Sequence, residues 1–290
     1  MKPRNMLHKR SDQSSSISGP YKYLIEESDF CQRRQNLEII AYVHSSISRV
    51  KKRNETRHTW AAVSSYNVGI FLGVIYVVGR AKNAYEDQII RDESLQYHDI
   101  VQVDIEEDYH LLSYKSLAAL SWIHLHCSEI PWTIHVDDDV VIDVFLLSLN
   151  LRDLNASDVE YFYCNIMYSN VMREGKWAVD PRDYSSEKYP AFCSGLMWFI
   201  PTRLIPRLLY ASQEAPFLWI DDVYVTGILA EKANISLVDD PDGFGSQKIN
   251  RKDIGRLMSW HAIKADRRQC WNDIVKHYRE LFSATGPTNS

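Results

Sequence analysis

Three consecutive aspartates follow a short apolar stretch and are the strongest candidates for chemistry in this sequence. Residues 132–136 predict a buried strand, and Asp137, Asp138 and Asp139 come directly after it, before apolar residues resume. Three carboxylates that lose water together repel one another, and a cation between them removes that cost. Mg²⁺ and Mn²⁺ prefer such oxygen ligands and often share them with substrate phosphates. The structural alternative is a solvated acidic turn in which Asp139 or Asp143 caps the next helix.

A second acidic pair, Asp221 and Asp222, is also bracketed by apolar residues. A carboxylate half-shielded by Trp219 and Tyr224 would have its pKa raised by desolvation, which suits a general base. The structural alternative is a helix N-cap, with first-turn acid stabilising the helix dipole. The pair therefore predicts either a catalytic base or a helix start.

Composition and charge exclude several classes of protein. The 290 residues are 45% apolar and 24% charged, which is typical of a globular chain with a substantial core. Lys and Arg total 33 against 38 Asp and Glu, a net charge of −5, so no basic excess exists to bind nucleic acid. The five cysteines form no C-x-x-C pair and allow at most two disulfides. Their pairing stays open, with Cys193 a candidate for a bond to another mid-chain cysteine.

The elements that must position these acids follow from the pattern of apolar residues. Short apolar runs alternate with helix-like stretches, which predicts an α/β domain with a mostly parallel sheet. The predicted strands are residues 37–43, 70–78, 99–103, 132–136, 159–167 and 196–200, and the predicted helices are residues 56–64, 84–94, 111–127, 144–151, 202–211 and 221–232. In open α/β sheets ligands bind at the carboxyl ends of the strands, where Asp137 falls.

The first 30 residues differ from the rest of the chain. Residues 1–30 are serine-rich with scattered charge and no apolar periodicity, which predicts a flexible tail or linker, and residues 31–290 are predicted to form one domain. The longest apolar run, residues 68–79, is shorter than the roughly 20 residues of a transmembrane helix, so we expect no transmembrane segment or signal anchor in this chain. Sequons at Asn54, Asn155 and Asn234 weigh slightly towards a lumenal protein, with Asn155 and Asn234 the better acceptors.

Seven short motifs occur in a fixed order along the chain. They are RNETRHTW at 53–60, YVVG at 76–79, ESLQYHDI at 93–100, DYHLLSYK at 108–115, DDDV at 137–140, YPAFCSG at 189–195 and DDVYV at 221–225. Together they resemble the motifs of the β1,3-galactosyltransferase-like family, glycosyltransferase family 31, which includes β1,3-N-acetylglucosaminyltransferases and is related to Fringe. Each motif is weak alone, but their common order is specific.

Several positions depart from the family pattern. Leu111 stands where asparagine is usual, Ala191 replaces a proline, and Leu196 and Met197 replace a glycine pair. Asp221 also stands in place of glutamate, which keeps the charge and shortens its reach. The sequence therefore resembles a divergent member, and the sugar specificity of familiar members does not carry over to it.

The resemblance implies a GT-A-type nucleotide-sugar-binding fold, an α/β architecture whose mostly parallel central sheet is flanked by helices. It implies that residues 31–290 are a hexosyltransferase domain, with inverting, metal-dependent transfer of a hexose from a UDP-sugar to a glycan on a glycoprotein or glycolipid, through a β1,3 linkage. Galactose is the default sugar, while UDP-N-acetylglucosamine or UDP-N-acetylgalactosamine transfer, and a non-catalytic glycan-binding or chaperone relative, stay as alternatives. A metal-dependent hydrolase would explain the acids but not the ordered motifs. The family also implies a Golgi membrane or lumenal location.

The resemblance assigns a metal role and a catalytic role. The DDD motif places Mn²⁺, or Mg²⁺, on Asp139 with Asp137, and His261 completes the set as a C-terminal histidine does in related enzymes. Asp222 corresponds to the catalytic base that takes the acceptor proton, and Asp221 orients sugar hydroxyls. A lone histidine is more often structural or exposed, which is the alternative for His261.

The same resemblance assigns five residues to the UDP-sugar. Asp137 and Asp138 contact it directly or through water beside the metal. Arg53, Arg57 and Lys115 are candidates for the nucleotide and its diphosphate, since guanidinium and ammonium groups pair with phosphate oxygens. An exposed helix charge is the alternative for Arg57.

Overall fold

The computed structural model describes residues 21–62, 71–240, 243–245, 251–262 and 266–284. Its strands are β1 Tyr23–Ile25, β2 Ile39–His44, β3 Leu72–Val78, β4 Ile100–Val103, β5 Trp132–Asp137, β6 Val140–Ile142, β7 Tyr161–Met167, β8 Phe192–Pro201, β9 Ser236–Asp239, β10 Phe244–Gly245 and β11 Ser259–His261. They form an eight-stranded sheet in the order β1-β4-β3-β2-β5-β8-β7-β9 and a three-stranded sheet in the order β10-β11-β6.

The large sheet is mostly parallel, as the sequence predicts. Strands β4, β3, β2 and β5 are parallel neighbours, and β9 is parallel to β7. Strand β8 runs antiparallel to both β5 and β7, and β1 runs antiparallel to β4 at the edge. The carboxyl ends of β2 and β5 therefore meet the amino-terminal half of β8 at one edge of the sheet.

Helices cover both faces of this sheet. They are α1 Val50–Arg57, α2 Ala84–Tyr97, α3 Leu112–His126, α4 Val144–Arg152, α5 Ile205–Ser212, α6 Ala230–Lys232 and α7 Arg267–Ala284, with a π-helical stretch Val223–Leu229 directly before α6. Asn83 caps α2 by accepting from the Glu86 N–H, and Asp143 caps α4 by accepting from the Leu146 N–H. These caps satisfy donors that a helix start leaves without partners.

The core lies in two layers, one on each face of the large sheet. Along β2, Ile40 and Tyr42 pack in the layer that contains α3 and α5, whereas Ile39, Ala41 and Val43 pack in the layer with α4 and α7. Successive side chains of a strand point to opposite faces. Because both faces are buried, the central strands are almost continuously apolar instead of alternating.

All six predicted strands are present, with bounds that differ by a few residues. The predicted helix at 56–64 is wrong, because α1 begins at Val50 and ends at Arg57, and Thr59 and Trp60 are buried just after it. Residues 63 and 64 of that prediction lie outside the described residues. Four very short strands, β1, β6, β10 and β11, were not predicted, and neither were β9 and the C-terminal α7.

The described structure begins earlier than the predicted boundary near residue 30. Strand β1 pairs with β4, the Tyr23 hydroxyl donates to the Ala118 carbonyl at 2.8 Å, and Phe30 is buried. Strand β1 has only three residues, which are too few for its sequence to show a period. Residues 1–20 lie outside the described residues, and the division into a tail and one catalytic domain stays a prediction.

Two disulfides are present, which is the maximum that the cysteine count allows. Cys31 bonds Cys127, and Cys164 bonds Cys193 across the neighbouring strands β7 and β8. The mid-chain partner expected for Cys193 is therefore Cys164, while Cys270 is free and buried. Within the ranges that the structure covers, no helix is both long and apolar enough to span a bilayer.

Candidate active site

The two acidic groups that the sequence marks separately meet at one edge of the large sheet. His44 is the register partner of Asp137 where β2 and β5 end. Its Nδ1 atom lies 3.5 Å from the Asp221 Oδ2 atom. His44 thus connects the end of β5, where the three aspartates begin, with the Asp221–Asp222 pair 84 residues further along the chain.

Negative charge is crowded at this edge. Desolvation and the neighbouring carboxylates, Asp221 and Asp139 first, raise the pKa of Asp137 well above its usual range, even though 43% of its side chain is exposed. Desolvation raises the pKa of Asp221 to about 6. Desolvation and the adjacent Asp221 raise the pKa of Asp222 to about 7. Repulsion between these carboxylates is reduced when a cation binds between them or when they are protonated.

The small sheet brings His261 to the acidic triplet. Strand β11 pairs antiparallel with β6, so His261 faces Val140, and the Ala262 N–H donates to the Asp139 carbonyl at 2.7 Å. The His261 Nε2 atom lies 3.4 Å from the Asp139 Oδ1 atom. Two carboxylates, Asp137 and Asp139, and one imidazole therefore stand where uncompensated negative charge accumulates. This donor set fits a divalent cation of the Mg²⁺ or Mn²⁺ class.

Asp138 has a different environment from its two neighbours. It is buried, Arg49 donates to both of its oxygens at 2.7 and 2.8 Å, and the Lys52 ammonium donates to it at 2.7 Å. Its carboxylate is thus paired with cations of the protein, and its contact with the nucleotide, directly or through water, stays a prediction. The Lys52 ammonium also lies 3.4 Å from the Asp139 Oδ2 atom. Sequence reasoning missed Arg49 and Lys52, although the basic run at 49–53 was a signal.

Arg53 supports the site from behind and presents no donor to it. Its side chain is fully buried, and its N–H groups donate to both Glu93 oxygens at 2.6 and 2.7 Å, to the Ser45 hydroxyl and to the Ser46 and Ile47 carbonyls. All of its donors are therefore used within the protein. These contacts fix the turn after β2, and nucleotide binding by Arg53 stays a prediction.

Arg57 belongs to the same buried network. It pairs with Asp99 through two hydrogen bonds at 2.7 and 2.8 Å, lies 2.8 Å from Glu93, and stacks over the Tyr97 ring at 3.9 Å. Its side chain is 9% exposed, so the alternative of an exposed helix charge is wrong, while nucleotide binding by Arg57 stays a prediction. Partners about 40 residues away, which spacing within one motif does not reveal, explain this correction.

Lys115 lies next to the site but its ammonium is already held. It donates to the Ser45 carbonyl at 3.0 Å and to the Glu107 carboxylate. Burial lowers the pKa of Lys115, while Glu107 opposes that change. Its role toward a diphosphate stays a prediction, and that role requires Lys115 to exchange the Glu107 contact for a phosphate.

The Asp221–Asp222 pair is both a helix start and a candidate base. The Ser116 hydroxyl on α3 donates to Asp221 at 3.2 Å, and Asp222 accepts from the Val223 N–H at 2.8 Å. Thr226 donates its hydroxyl to the Asp222 carbonyl at 2.6 Å and accepts from the Cys193 N–H at 2.8 Å. The helix start is therefore confirmed, and the role of Asp222 as a base stays a prediction that this cap leaves open.

Gly195 on β8 is needed where the chain approaches this carboxylate. A Cβ atom at Gly195 would lie 3.2 Å from the Asp222 Oδ2 atom, which is tighter than ordinary contact. Any larger residue would thus press on the candidate base. The neighbouring Met197, which stands in place of a glycine of the family pattern, is fully buried in the core on the opposite face of the sheet from Trp198.

Two buried histidines form the floor beneath the acids, and sequence reasoning missed both. Burial lowers the pKa of His135 to about 4 and that of His44 well below its usual range, so both rings are neutral. The His135 Nε2–H donates to the Gly195 carbonyl at 3.0 Å, and the His44 Nε2 atom lies 3.1 Å from the Ser116 hydroxyl. With Asp221 they offer three ligand-type atoms within 4.8 Å of one another. Their hydrogen bonds assign them to positioning the edge of the sheet and Asp221.

Comparison with known proteins shows which sequences and structures this chain is similar to. The profile of the galactosyltransferase family matches residues 51–241, which include both acidic groups. Beta-1,3-galactosyltransferase 2 from Homo sapiens is 30% identical over 230 residues, which cover 77% of this chain and 54% of that protein. Lactosylceramide 1,3-N-acetyl-beta-D-glucosaminyltransferase A from Danio rerio is 24% identical over 96% of this chain and 73% of that protein. The chain thus spans about half the length of the human relative.

Among solved structures, a glycosyltransferase involved in the glycosylation of the major capsid of PBCV-1 is similar, with a TM-score of 0.41 and 12% identity over 83% of this chain and 98% of that chain. The central sheet, mostly parallel and flanked by helices, is the α/β architecture of the GT-A type that the sequence predicts. The family profile covers well over half of the residues and contains the acidic site. The chain therefore belongs to the galactosyltransferase family.

Proposed function

We propose that this protein is a hexosyltransferase that moves a sugar from a UDP-sugar to a hydroxyl of a glycan acceptor, with galactose as the default sugar and a β1,3 linkage. The observation that carries the proposal is the meeting of Asp137 and Asp139 with Asp221 and Asp222 at one sheet edge. The names of the similar proteins support both galactose and N-acetylglucosamine as the transferred sugar.

Asp222 is the proposed base. The acceptor oxygen attacks the anomeric carbon, the bond from that carbon to the UDP oxygen breaks, and Asp222 takes the hydroxyl proton. One displacement inverts the configuration, so no covalent intermediate is required. A carboxylate whose pKa is about 7 because of desolvation and Asp221 matches the proton-transfer task near neutral pH.

Asp137, Asp139 and His261 would hold a divalent cation in this proposal. A bound cation would supply positive charge opposite the leaving diphosphate. Lys52 already places an ammonium beside Asp139, and Arg49 lies on the same side through Asp138. These two residues of the chain bring further positive charge to the place where the diphosphate would sit.

The test is UDP release from a panel of UDP-sugars with Mn²⁺, in the presence and absence of simple galactosides and N-acetylhexosaminides. Asp139→Ala and Asp222→Asn should each lower turnover by at least about a hundredfold, which is the usual scale for a lost base or electrostatic group. UDP affinity with Mn²⁺, measured by calorimetry, should fall for Asp139→Ala and stay close to wild type for Asp222→Asn.

Asp92→Asn is the matched control, since Asp92 is an exposed carboxylate on α2. It should turn over like the wild type. A folded wild type that releases no UDP from any donor, or an Asp222→Asn variant with full activity, contradicts the proposal. The donor that gives turnover also decides between galactose and the N-acetylhexosamines.

We further propose a Golgi membrane or lumenal location. Two disulfides suit an oxidising compartment, and the sequons at Asn155 and Asn234 are exposed. Asn54 lies on α1 next to Arg49 and Lys52, and its side chain accepts from Arg57, so we expect that sequon to stay unused. In cells, the tagged chain should shift on glycosidase treatment and lose that shift in an Asn155→Gln/Asn234→Gln variant. A wholly cytosolic, unglycosylated chain contradicts the location.

A further inference from the structure

A group of exposed aromatic side chains stands beside the acidic site. The Tyr109 and Trp177 side chains are 44% and 46% exposed, and Trp219 is half-buried. The Trp177 indole N–H donates to the Tyr109 hydroxyl at 3.1 Å, and the Tyr109 and Trp219 ring centres are 5.7 Å apart. We call Tyr109, Trp177 and Trp219 the aromatic platform. Exposed aromatic rings held together in this way mark a binding surface.

Three separate segments converge to build the platform. Tyr109 begins the short 3₁₀ turn before α3, Trp177 lies in the loop between β7 and β8, and Trp219 lies just before the π-helical stretch. The loop is braced from within by Arg173, whose guanidinium donates to the Val179, Tyr184 and Ser186 carbonyls at 2.8–3.0 Å. The ring of Trp177 is therefore presented by a fixed loop.

The platform lies on the base side of the site. Trp219 is two residues before Asp221, and the helical segment that Tyr109 begins carries Ser116, which donates to Asp221. The base side is where an acceptor hydroxyl must arrive, whereas the Asp139–His261 side faces the diphosphate in the proposed function. Position thus favours the acceptor over the donor as the occupant of these rings.

Tyr189 supplies a polar group on the same side. Its hydroxyl oxygen is buried and has no hydrogen-bond partner among the described residues. Burial raises the pKa of Tyr189. The next residue, Pro190, packs against the π-helical stretch that follows Asp222, because a Cβ atom at Gly227 would lie 3.1 Å from the Pro190 Cγ atom. A buried hydroxyl without a partner costs free energy unless a ligand satisfies it.

The chemistry of these groups matches one class of ligand. A pyranose ring has a face of C–H groups that packs on an aromatic ring and an edge of hydroxyls that needs hydrogen bonds. The Lys176 ammonium lies 4.8 Å from the Tyr109 ring centre and 5.0 Å from that of Trp177, and so adds a donor at the rim. We propose that the aromatic platform, with the Tyr189 hydroxyl, binds a pyranose ring of the acceptor glycan. This assignment rests on the proposed function of the site.

The test measures glycan binding without any donor. Saturation-transfer difference NMR and titration would use methyl β-D-galactopyranoside, methyl N-acetyl-β-D-glucosaminide and N-acetyllactosamine as probes. Trp177→Ala should weaken binding of the best probe about tenfold, and Trp177→Phe should recover most of that loss, because a ring is restored. Tyr85→Ala, which removes a more exposed aromatic on α2, should bind like the wild type.

Kinetics with the active donor separate the acceptor from the donor. Trp177→Ala should raise the KM for the acceptor about tenfold, while the KM for the UDP-sugar and the affinity for UDP with Mn²⁺ change less than twofold. Unchanged glycan affinity in a folded Trp177→Ala variant overturns the platform, and so does a loss of UDP affinity equal to the loss of glycan affinity. Because glycan binding is read without donor, a wild type that binds glycan but not UDP counts against the proposed function and leaves the platform supported.

Discussion

Lys52 places one positive charge between a carboxylate that is fully paired, Asp138, and one that is available to a cation, Asp139. A metal ion at Asp139 would be repelled by this ammonium, whereas a diphosphate would be attracted by it. The Lys52 side chain therefore weakens the binding of one ligand that the proposed reaction requires, the metal ion, and strengthens the binding of the other, the diphosphate.

We predict that Lys52→Ala tightens the binding of Mn²⁺ to the protein alone and weakens the binding of UDP in the presence of Mn²⁺. Each change should be about two- to fivefold, which is the scale of a partly exposed ion pair. Isothermal titration calorimetry measures both affinities. Lys51→Ala is the control, since Lys51 is its exposed neighbour on α1. If both affinities move in the same direction, Lys52 does not act through charge at this place.

At this scale the acids can be located from the sequence more easily than the bases, although their roles stay predictions. The His261 Nε2 atom lies 3.4 Å from Asp139, and His44, the register partner of Asp137, lies 3.5 Å from Asp221. The roles of Arg53, Arg57 and Asp138 needed their partners, Glu93, Asp99 and Arg49, which come from other elements. Sequence alone indicates the type of a charged residue, but its free or paired state depends on which elements pack together.

Helices α1 and α2 are joined to the sheet by a buried ionic network. Arg53 and Arg57 on α1 share Glu93 on α2, and Arg57 also binds Asp99 at the start of β4. The turn after β2, which begins at Ser45 directly after His44, is attached to the same network through Arg53. The geometry of the acidic site thus depends on charges that do not enter it.

We predict that Arg53→Met lowers the free energy of unfolding by about 3 kcal/mol, because Glu93 is left buried with one partner fewer. The double variant Arg53→Met/Glu93→Met should recover part of the loss, since no buried charge is then uncompensated at that position. Urea denaturation followed by circular dichroism measures the free energy of unfolding of the single and of the double variant. Arg91→Met, which breaks an exposed pair with Asp87, should leave stability nearly unchanged. A double variant less stable than Arg53→Met would show that Glu93 is stabilised by other contacts.

The length of a strand decided whether the sequence predicted it. Strands β2, β3 and β5 are long apolar runs and were placed within a few residues. Strands β6 and β11 have three residues each, too few to show a period, yet their pairing carries His261 to Asp139. Pairing between segments far apart in sequence is a property of the folded chain, so no local pattern predicts it.

Asp143 connects distant parts of the molecule. It caps α4 through the Leu146 N–H at 3.0 Å, accepts from the Gly255 N–H at 3.3 Å, and accepts from the Tyr278 hydroxyl of α7 at 3.1 Å. Its side chain is fully buried, and desolvation raises the pKa of Asp143 to about 6. The capping role that the sequence offered for Asp143 is confirmed, but its bond to α7 was not predictable.

This pKa makes the stability of the whole fold depend on pH. The raised pKa of folded Asp143 means that folding favours its protonated form, so the stabilisation is complete below about pH 4 and is lost as the pH rises through about 6. The difference from the ordinary value corresponds to about 3 kcal/mol. Urea denaturation between pH 4 and 7 should therefore show a smaller fall in stability for Asp143→Asn than for the wild type. Equal falls in stability for Asp143→Asn and the wild type would contradict this account. Asp153→Asn, at an exposed position, is the control and should lose stability like the wild type.

The small sheet has a consequence for the order in which the site is completed during synthesis. A nascent chain that has emerged as far as β9 contains every strand of the large sheet and both acidic groups. His261 and Arg267, which donates to the Asp138 carbonyl, are translated 22 and 28 residues after the last residue of β9, a delay of a few seconds on the ribosome. During that interval the aspartates are present without their histidine. Under the proposed metal role, a divalent cation that met the chain in this interval would find a weaker site, and the complete set of ligands would form only when β11 pairs with β6.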